Sequence, residues 1–428
     1  MRQINLSSTP GCCIAKDTDA LMPQTLALAT AESLDGNPSR VNHAIVARAT
    51  GLIPLIQRHA EQSSADRRVV PEVMAALEDE GLFGLFVPAR YGGREENMRT
   101  VLETLAEVAR GDGSTAWAVA LLNVCTWFAT TFSQQAQDDV FGANPDAKCC
   151  GIFTPGSKAQ RVDGGYLVSG QWAYSSGSFA ADWGTLGITL EVPEGTDPRA
   201  LALIPKEAWT IKPTWFVAGM KGSGSETIVV ENHFVPDHRI QSFVAMREAE
   251  FATPHKARER NSNMAFIPVA ALVLVGPQLG LARRALDVTL EKLPNKPVAY
   301  TKYKAARNSP THQLGVASAS TKFNLAELLM QQAAADIDCA AAGGGLPDLV
   351  TRGRIRNNTG MIVELVKDGI DTLMTANGAG SFADANVLNQ IWRDAEIAGR
   401  HAYVTPEIGK EVYGRLLLGA DDIDTMDV

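Results

Sequence analysis

Helix-like and strand-like segments do not alternate along this chain. Helical spacing fills roughly 41–146, strand spacing about 147–245, and helical spacing returns from about 260 onward. That order disfavours an alternating βα architecture, in which a helix must separate successive strands. In the first zone Val69, Val73, Met74 and Leu77 repeat at helical spacing as far as Gly81. Leu82 to Pro88 is apolar, and Tyr91-Gly92-Gly93 makes a turn. Val101, Leu102, Leu105, Val108 and Ala109 mark a second helix, which ends at Gly111. Asp112 or Ser114 can cap a long apolar helix that starts near Thr115. In the second zone the runs at 149–154, 185–190, 200–204 and 227–231 read as strands, and Val162-Asp163-Gly164-Gly165-Tyr166 reads as a hairpin. The third zone breaks at Pro294, near Pro310, at Gly343-Gly344-Gly345 and at Gly378. The expected organisation is an extension over 1–40, an N-terminal helical domain over 41–146, a middle β domain over 147–245 and a C-terminal helical bundle over 246–428.

Charge and cysteines narrow the function classes. The net charge of −9 argues against non-specific nucleic-acid binding, which relies on Lys and Arg neutralising phosphates. The six cysteines include no C-x-x-C pair and no zinc spacing, so no metal site is expected. Cys12-Cys13 and Cys149-Cys150 would be strained as disulfides, and free thiols in a reducing cytoplasm are the expectation. No apolar run reads as bilayer length and no signal peptide is evident, so no membrane association is expected.

Two stretches carry the chemistry. Gln171-Trp172-Ala173-Tyr174-Ser175-Ser176-Gly177 sets aromatics beside paired hydroxyls after a hairpin, which suits a flat ring such as a flavin. Gly219-Met220-Lys221-Gly222-Ser223-Gly224-Ser225-Glu226-Thr227 contains Gly-x-Gly but leads into the strand Ile228-Val229-Val230. A dinucleotide fingerprint must open a helix whose N-terminus holds the pyrophosphate, so a Rossmann site is disfavoured.

On these residues the chain resembles the acyl-CoA dehydrogenase superfamily over roughly 45–420. Leu77 to Gly84 with Val87-Pro88-Ala89-Arg90-Tyr91-Gly92-Gly93 is similar to its first-domain signature. Asp112 to Trp117 resembles the start of its central helix, and Met220 to Thr227 with Val235-Pro236 resembles the end of its β domain. The resemblance implies a mainly α fold with a central β-barrel-like domain and a C-terminal four-helix bundle, assembled as a homotetramer. The forms Trp172 to Gly177 and Gly222-Ser223-Gly224-Ser225 are more similar to the two-component flavin-dependent monooxygenases of that superfamily. After Trp392-Arg393-Asp394, where dehydrogenases commonly place a catalytic glutamate, the chain has His401-Ala402, and alanine cannot remove a proton.

The branch implies reduced FMN or FAD and O2, a flavin hydroperoxide shielded from water, and a separate NAD(P)H:flavin reductase that supplies reduced flavin by diffusion. The expected reaction is hydroxylation of an aromatic or heteroaromatic small molecule. N- or S-oxygenation and acyl-CoA dehydrogenation stay open, and a non-catalytic scaffold is the remaining option. Ser176 resembles the residue that faces the flavin N5; the alternative is a strand-end serine closing a turn. His401 is the acid/base candidate, because imidazole titrates near neutrality; the alternative is a packed histidine. Trp172, Tyr174, Ser175, Gly222 and Ser223 are expected along the flavin, and Asn377-Gly378 near its phosphate end across a subunit boundary. The alternatives are packing for Trp172, a tight turn at Gly222-Ser223 and a helix cap at Gly378. Asn123, Cys125 and Trp127 are expected to line the substrate pocket together with His401, against plain helix packing for the first three; Cys125-Thr126-Trp127 departs from the His-x-Trp form common in the branch. His238 belongs to the β-to-helix junction.

Overall fold

The computed structural model describes residues 37–420. The expected extension over 1–40 therefore lies outside the described residues but for its last four, as do Cys12 and Cys13. The chain opens with α1 (His43–Asp66), α2 (Pro71–Asp79), α3 (Met98–Gly111), α4 (Gly113–Thr130) and α5 (Gln134–Phe141). Their ends follow local rules. Gly81 leaves α2 at φ +65°, a backbone glycine adopts freely. The Asn97 side chain accepts from Thr100 N, and Asp112 accepts from Thr115 N at 2.8 Å. Asp112, not Ser114, is thus the cap of α4. Every residue of α4 except Leu121 is buried.

The strands are β1 (Cys149–Lys158), β2 (Gln160–Val162), β3 (Gly165–Ser175), β4 (Trp183–Thr189), β5 (Arg199–Pro205), β6 (Trp209–Lys212), β7 (Glu226–Pro236) and β8 (Ile240–Ser242). The expected hairpin joins β2 and β3, with Arg161 opposite Tyr166, Val162 opposite Gly165, and Gly164 at φ +72°. The strands of this middle domain form two four-stranded sheets, β1-β4-β5-β8 and β2-β3-β7-β6. Among the described residues only the β1–β4 pairing is parallel. The sheets meet where β1 crosses β3: a Cβ on Gly170 would lie 2.4 Å from Gly156 O, so glycine is what allows the approach. Val168, Trp172, Leu186, Ile204 and Ile228 fill the space between them.

The chain ends with α6 (Phe243–Arg247), α7 (Phe266–Leu272), α8 (Val275–Lys292), α9 (Pro310–Ala342), α10 (Leu349–Asn377), α11 (Val387–Ala398) and α12 (Pro406–Leu418). Here α10 packs against α8, α9 and α12. By length and composition Phe266–Lys292 could cross a bilayer, against the expectation that no run reaches that length; 94% of its most apolar window is buried inside the fold, as in a core helix. That core is shared across the sequence. Leu102 and Leu105 of α3 join Val275 and Leu279 of α8, so the first and third zones bury one common apolar surface.

The α3–α8 contact is close because α8 carries glycine. A Cβ on Gly280 would sit 2.1 Å from Ala106 O. Gly280→Ala is expected to destabilise the protein by about 1–3 kcal/mol, the usual effect of overpacking a filled contact. Gly345→Ala, where a Cβ meets nothing within 4 Å, should leave the melting temperature unchanged. Thermal denaturation of the two variants side by side checks this.

Candidate active site

The bend that ends β3 is pressed onto α4. Tyr174 takes φ +62° and Gly177 φ +75°, and a Cβ on Gly177 would lie 2.8 Å from Leu122 Cγ. A left-handed non-glycine residue is sparsely populated and persists only when its surroundings hold it. The bend carries Ser176 inward, where it is buried. Trp117, from the first turns of α4, donates its indole Nε1–H to Ser176 Oγ at 3.2 Å.

The second loop meets the first through hydroxyls. Ser223 Oγ donates to Met220 O at 2.8 Å. Ser223 Oγ and Ser225 Oγ are 2.7 Å apart, and so are Ser225 Oγ and Ser176 Oγ. Each hydroxyl has one proton, and a carbonyl only accepts. With Ser223 donating to Met220, Ser225 must donate to Ser223, and Ser176 to Ser225. Ser176 Oγ is left with the Trp117 N–H on one lone pair and a second lone pair to offer. Met220, itself left-handed at φ +54°, donates its N–H to Asp394 Oδ1 of α11. A Cβ on Gly219 would lie 2.3 Å from Arg393 O, so the loop lies flat on the Trp392-Arg393-Asp394 segment.

His401 also meets Trp117, with ring centroids 5.9 Å apart and edge-on. Its Nδ1 accepts from Tyr403 N at 3.2 Å, which leaves the proton of a neutral ring on Nε2. Burial, with the Arg356 charge adding to it, lowers its pKa to about 4. The sequence-based expectation of an imidazole titrating near neutrality is thereby corrected. At neutral pH the ring is uncharged and presents a donor. Tyr403 stacks on His401 at 6.0 Å and meets Phe153 at 5.9 Å; Phe153 packs on Phe128 and Phe266.

The other expected site residues are placed as follows. Ser175 is buried with Oγ donating to Trp172 O, and Gly222 and Ser223 are buried in the second loop. Trp172 points into the sheet core, with Nε1 donating to Gly187 O at 2.7 Å, so it is no wall of an open pocket. Tyr174 faces outward, 68% exposed, edge-on to Trp215. Asn123 ties α4 to the preceding loop, accepting from Leu85 N and donating to Leu82 O. Trp127 donates to Asn261 O and stacks on Phe266. The Cys125 thiol is buried, which pushes its pKa up and keeps it protonated. These three residues pack, and the face of α4 toward the site is that of Trp117. Asn377 donates to Thr289 Oγ1 and Leu373 O while Gly378 caps α10, with no hydrogen bond to the serine cluster. His238 pairs with Asp139 at the junction after β7. Trp117, Ser225 and Asp394 lay within motifs read from the sequence but were given no role of their own, and Tyr403 and Arg356 were not singled out. Among the described residues no group of His, Cys, Asp or Glu is placed to hold a metal.

Comparisons with known proteins identify the family of the fold. The acyl-CoA dehydrogenase N-terminal domain matches residues 52–141, and the C-terminal domain of that family matches 272–406. The chain is 31% identical over 384 residues to the flavin-dependent monooxygenase oxygenase subunit HsaA of Rhodococcus jostii, covering 89% of this chain and 99% of that one. It is 28% identical to the oxygenase component of p-hydroxyphenylacetate 3-hydroxylase of Acinetobacter baumannii, over 88% of this chain and 89% of that one. The structure of XiaF from a Streptomyces species, in complex with FADH2 and glycerol, superimposes with a TM-score of 0.84 at 30% identity, covering 89% and 96% of the two chains.

The Asp394 contact gives a pH test of the site's scaffold. Burial and the neighbouring Asp112 carboxylate push the Asp394 pKa up to about 8, and its Oδ2 is buried without a hydrogen-bond partner. A carboxyl whose folded pKa is raised favours the fold below its unfolded pKa, near 4, and loses that contribution as pH rises toward 8. Asparagine keeps the acceptor for Met220 N and does not ionise. Asp394→Asn should therefore match wild type in acid and exceed it near pH 8 by at least about 1 kcal/mol. Denaturant midpoints across that range check it; parallel pH curves for the two proteins would contradict it.

Proposed function

The chain belongs to the acyl-CoA dehydrogenase family, in its branch of flavin-dependent monooxygenase oxygenase components, and we propose that the Ser176–Trp117–His401 cluster is where its reduced flavin meets an aromatic substrate. The enzyme is an oxidoreductase that hydroxylates an aromatic small molecule with O2 and reduced flavin. FADH2 is the form we favour, since it is bound in the streptomycete neighbour.

One observation carries the assignment of the site: the polarity of Ser176. Its proton is directed to Ser225 and one lone pair is taken by Trp117, so what remains is an acceptor. Reduced flavin has an N–H at N5 to give it, whereas oxidised flavin has an acceptor there. The residues fit the reduced cofactor. When bound, reduced flavin supplies the electrons that activate dioxygen, one atom of which enters the substrate while the other leaves as water. Trp117 holds the Ser176 hydroxyl in place, and His401 offers Nε2–H to a substrate oxygen. Phe128, Phe153 and Phe266 keep water from the reacting groups. Ala402 supplies no base, and its carbonyl accepts from Arg356 Nη2 at 2.9 Å.

The name of each relative as an oxygenase subunit or component implies a separate reductase. We assign that role to an NAD(P)H:flavin reductase acting through diffusing flavin. A cytoplasmic homotetramer completes the reading. It is supported by the buried thiols Cys125, Cys149 and Cys150 and by the exposed Leu314, Leu325 and Leu328 of α9. In that assembly the Asn377-Gly378 loop is the segment we assign to a neighbouring subunit's cofactor.

Two outcomes are expected. The purified protein with flavin should not oxidise NAD(P)H until a reductase is added; turnover by the protein alone, followed at the nicotinamide absorbance, would remove the two-component assignment. Ser176→Ala should fold normally and bind reduced flavin several-fold more weakly, since a single hydrogen bond contributes roughly 1 kcal/mol. It should also release more hydrogen peroxide per reduced flavin oxidised. Peroxide and product are quantified after a single turnover, and unchanged coupling would count against Ser176.

A further inference from the structure

Arg356 of α10 is a buried cation with unused donors. It is 4% exposed. Its Nη2 donates to Ala402 O at 2.9 Å, while Nε and Nη1 are buried without a hydrogen-bond partner. Its Cζ lies 5.2 Å from the centre of the Tyr403 ring. Tyr403 and His401 are the titratable groups that interact with its charge, and no described carboxylate pairs with it. A guanidinium cannot escape by giving up its proton at neutral pH. Burying such a charge unpaired is strongly unfavourable, so a counter-ion is required.

The surroundings specify that counter-ion. Arg356 presents N–H donors. Beside it, His401 has spent Nδ1 on Tyr403 N and presents Nε2–H. Unpartnered N–H donors on a buried cation call for an oxyanion. The apolar wall of Phe153 and Phe128 next to Tyr403 suits the face of an aromatic ring.

We propose that Arg356 and His401 together bind an anionic oxygen of the substrate, so that this enzyme takes aromatic compounds as phenolates or ring carboxylates. The assignment rests on the monooxygenase reading for its substrate and adds the charge the substrate must carry. Arg356 is then a specificity residue, and its N–H groups hold the ring in register.

The test is anaerobic titration of the full-length protein, loaded with reduced flavin, with two probe pairs. These are 4-nitrophenol against 4-nitroanisole, and benzoate against methyl benzoate. Wild type should bind at least one anion roughly tenfold or more tighter than its neutral partner, as expected for a charge-assisted hydrogen bond. Which pair shows the preference identifies phenolate or carboxylate as the source. If it is the phenol, the yellow nitrophenolate band should appear at a pH where the free probe is protonated. Arg356→Gln should abolish the preference and the band, and Arg356→Lys should keep part of both. Equal binding within both pairs by wild type would overturn the proposal, as would an unchanged preference in Arg356→Gln. If Arg356→Gln does not fold, the wild-type pairs and Arg356→Lys decide. Stabilised reduced flavin without any anion preference would overturn this proposal and leave the monooxygenase reading standing. An anion preference without flavin binding would support the anion site and defeat that reading.

Discussion

The hydrogen bond from Met220 N to Asp394 Oδ1 is the contact on which the site's assembly depends. It joins a loop between strands to a helix that lies more than a hundred residues later. With Met220 fixed, its carbonyl becomes a fixed acceptor for Ser223 and for the Trp215 indole at 2.8 Å. The direction of every hydroxyl from Ser223 to Ser176 follows from that carbonyl. A buried carboxyl is an expensive way to hold a loop. Its neighbour Asp112 is also held above the usual carboxylate range by burial while it caps α4. The same pair of acids thus positions the loop and the helix that carries Trp117.

The site that results is rich in donors and poor in acceptors. Its donors are the Nε2–H of neutral His401 and the unpartnered N–H groups of Arg356, the Trp117 N–H being already given to Ser176. The Ser176 oxygen is the acceptor among them. Such a set favours a cofactor with a proton to offer at one place and a substrate with negative charge to offer at another. Low polarity around the site strengthens both preferences, because charges and dipoles interact more strongly where water is excluded.

Much of the fold was legible because its signals are local. Gly81, Asp112, the Asp163-Gly164 hairpin and the breaks at Pro294 and Gly378 each act within a few residues, and the element ends fall beside them. The serine bend and the Arg-Asp segment were legible as motifs, and the fold brings both Ser176 and His401 against Trp117. What could not be read was direction. Because α4 is buried nearly all round, periodicity could not separate the face of Trp117 from that of Asn123 and Trp127. Strand alternation alone did not say that Trp172 turns inward while Tyr174 turns outward, since the bend resets the phase. Arg356 sits in Arg352-Gly353-Arg354-Ile355-Arg356, which reads as a solvated basic stretch until α12 and the 401–403 segment cover it.

The central claim is that this site binds reduced flavin and governs its reaction with oxygen. It is tested most directly by mixing the protein with reduced flavin anaerobically, then with oxygenated buffer, and following oxidised-flavin absorbance by stopped flow. The account predicts that oxidised flavin returns at least roughly tenfold more slowly than from free reduced flavin, because the site excludes water and occupies N5–H. An aromatic substrate bound as an anion should change that rate and yield hydroxylated product. Return of oxidised flavin at the rate of the free cofactor, with no product, would contradict it.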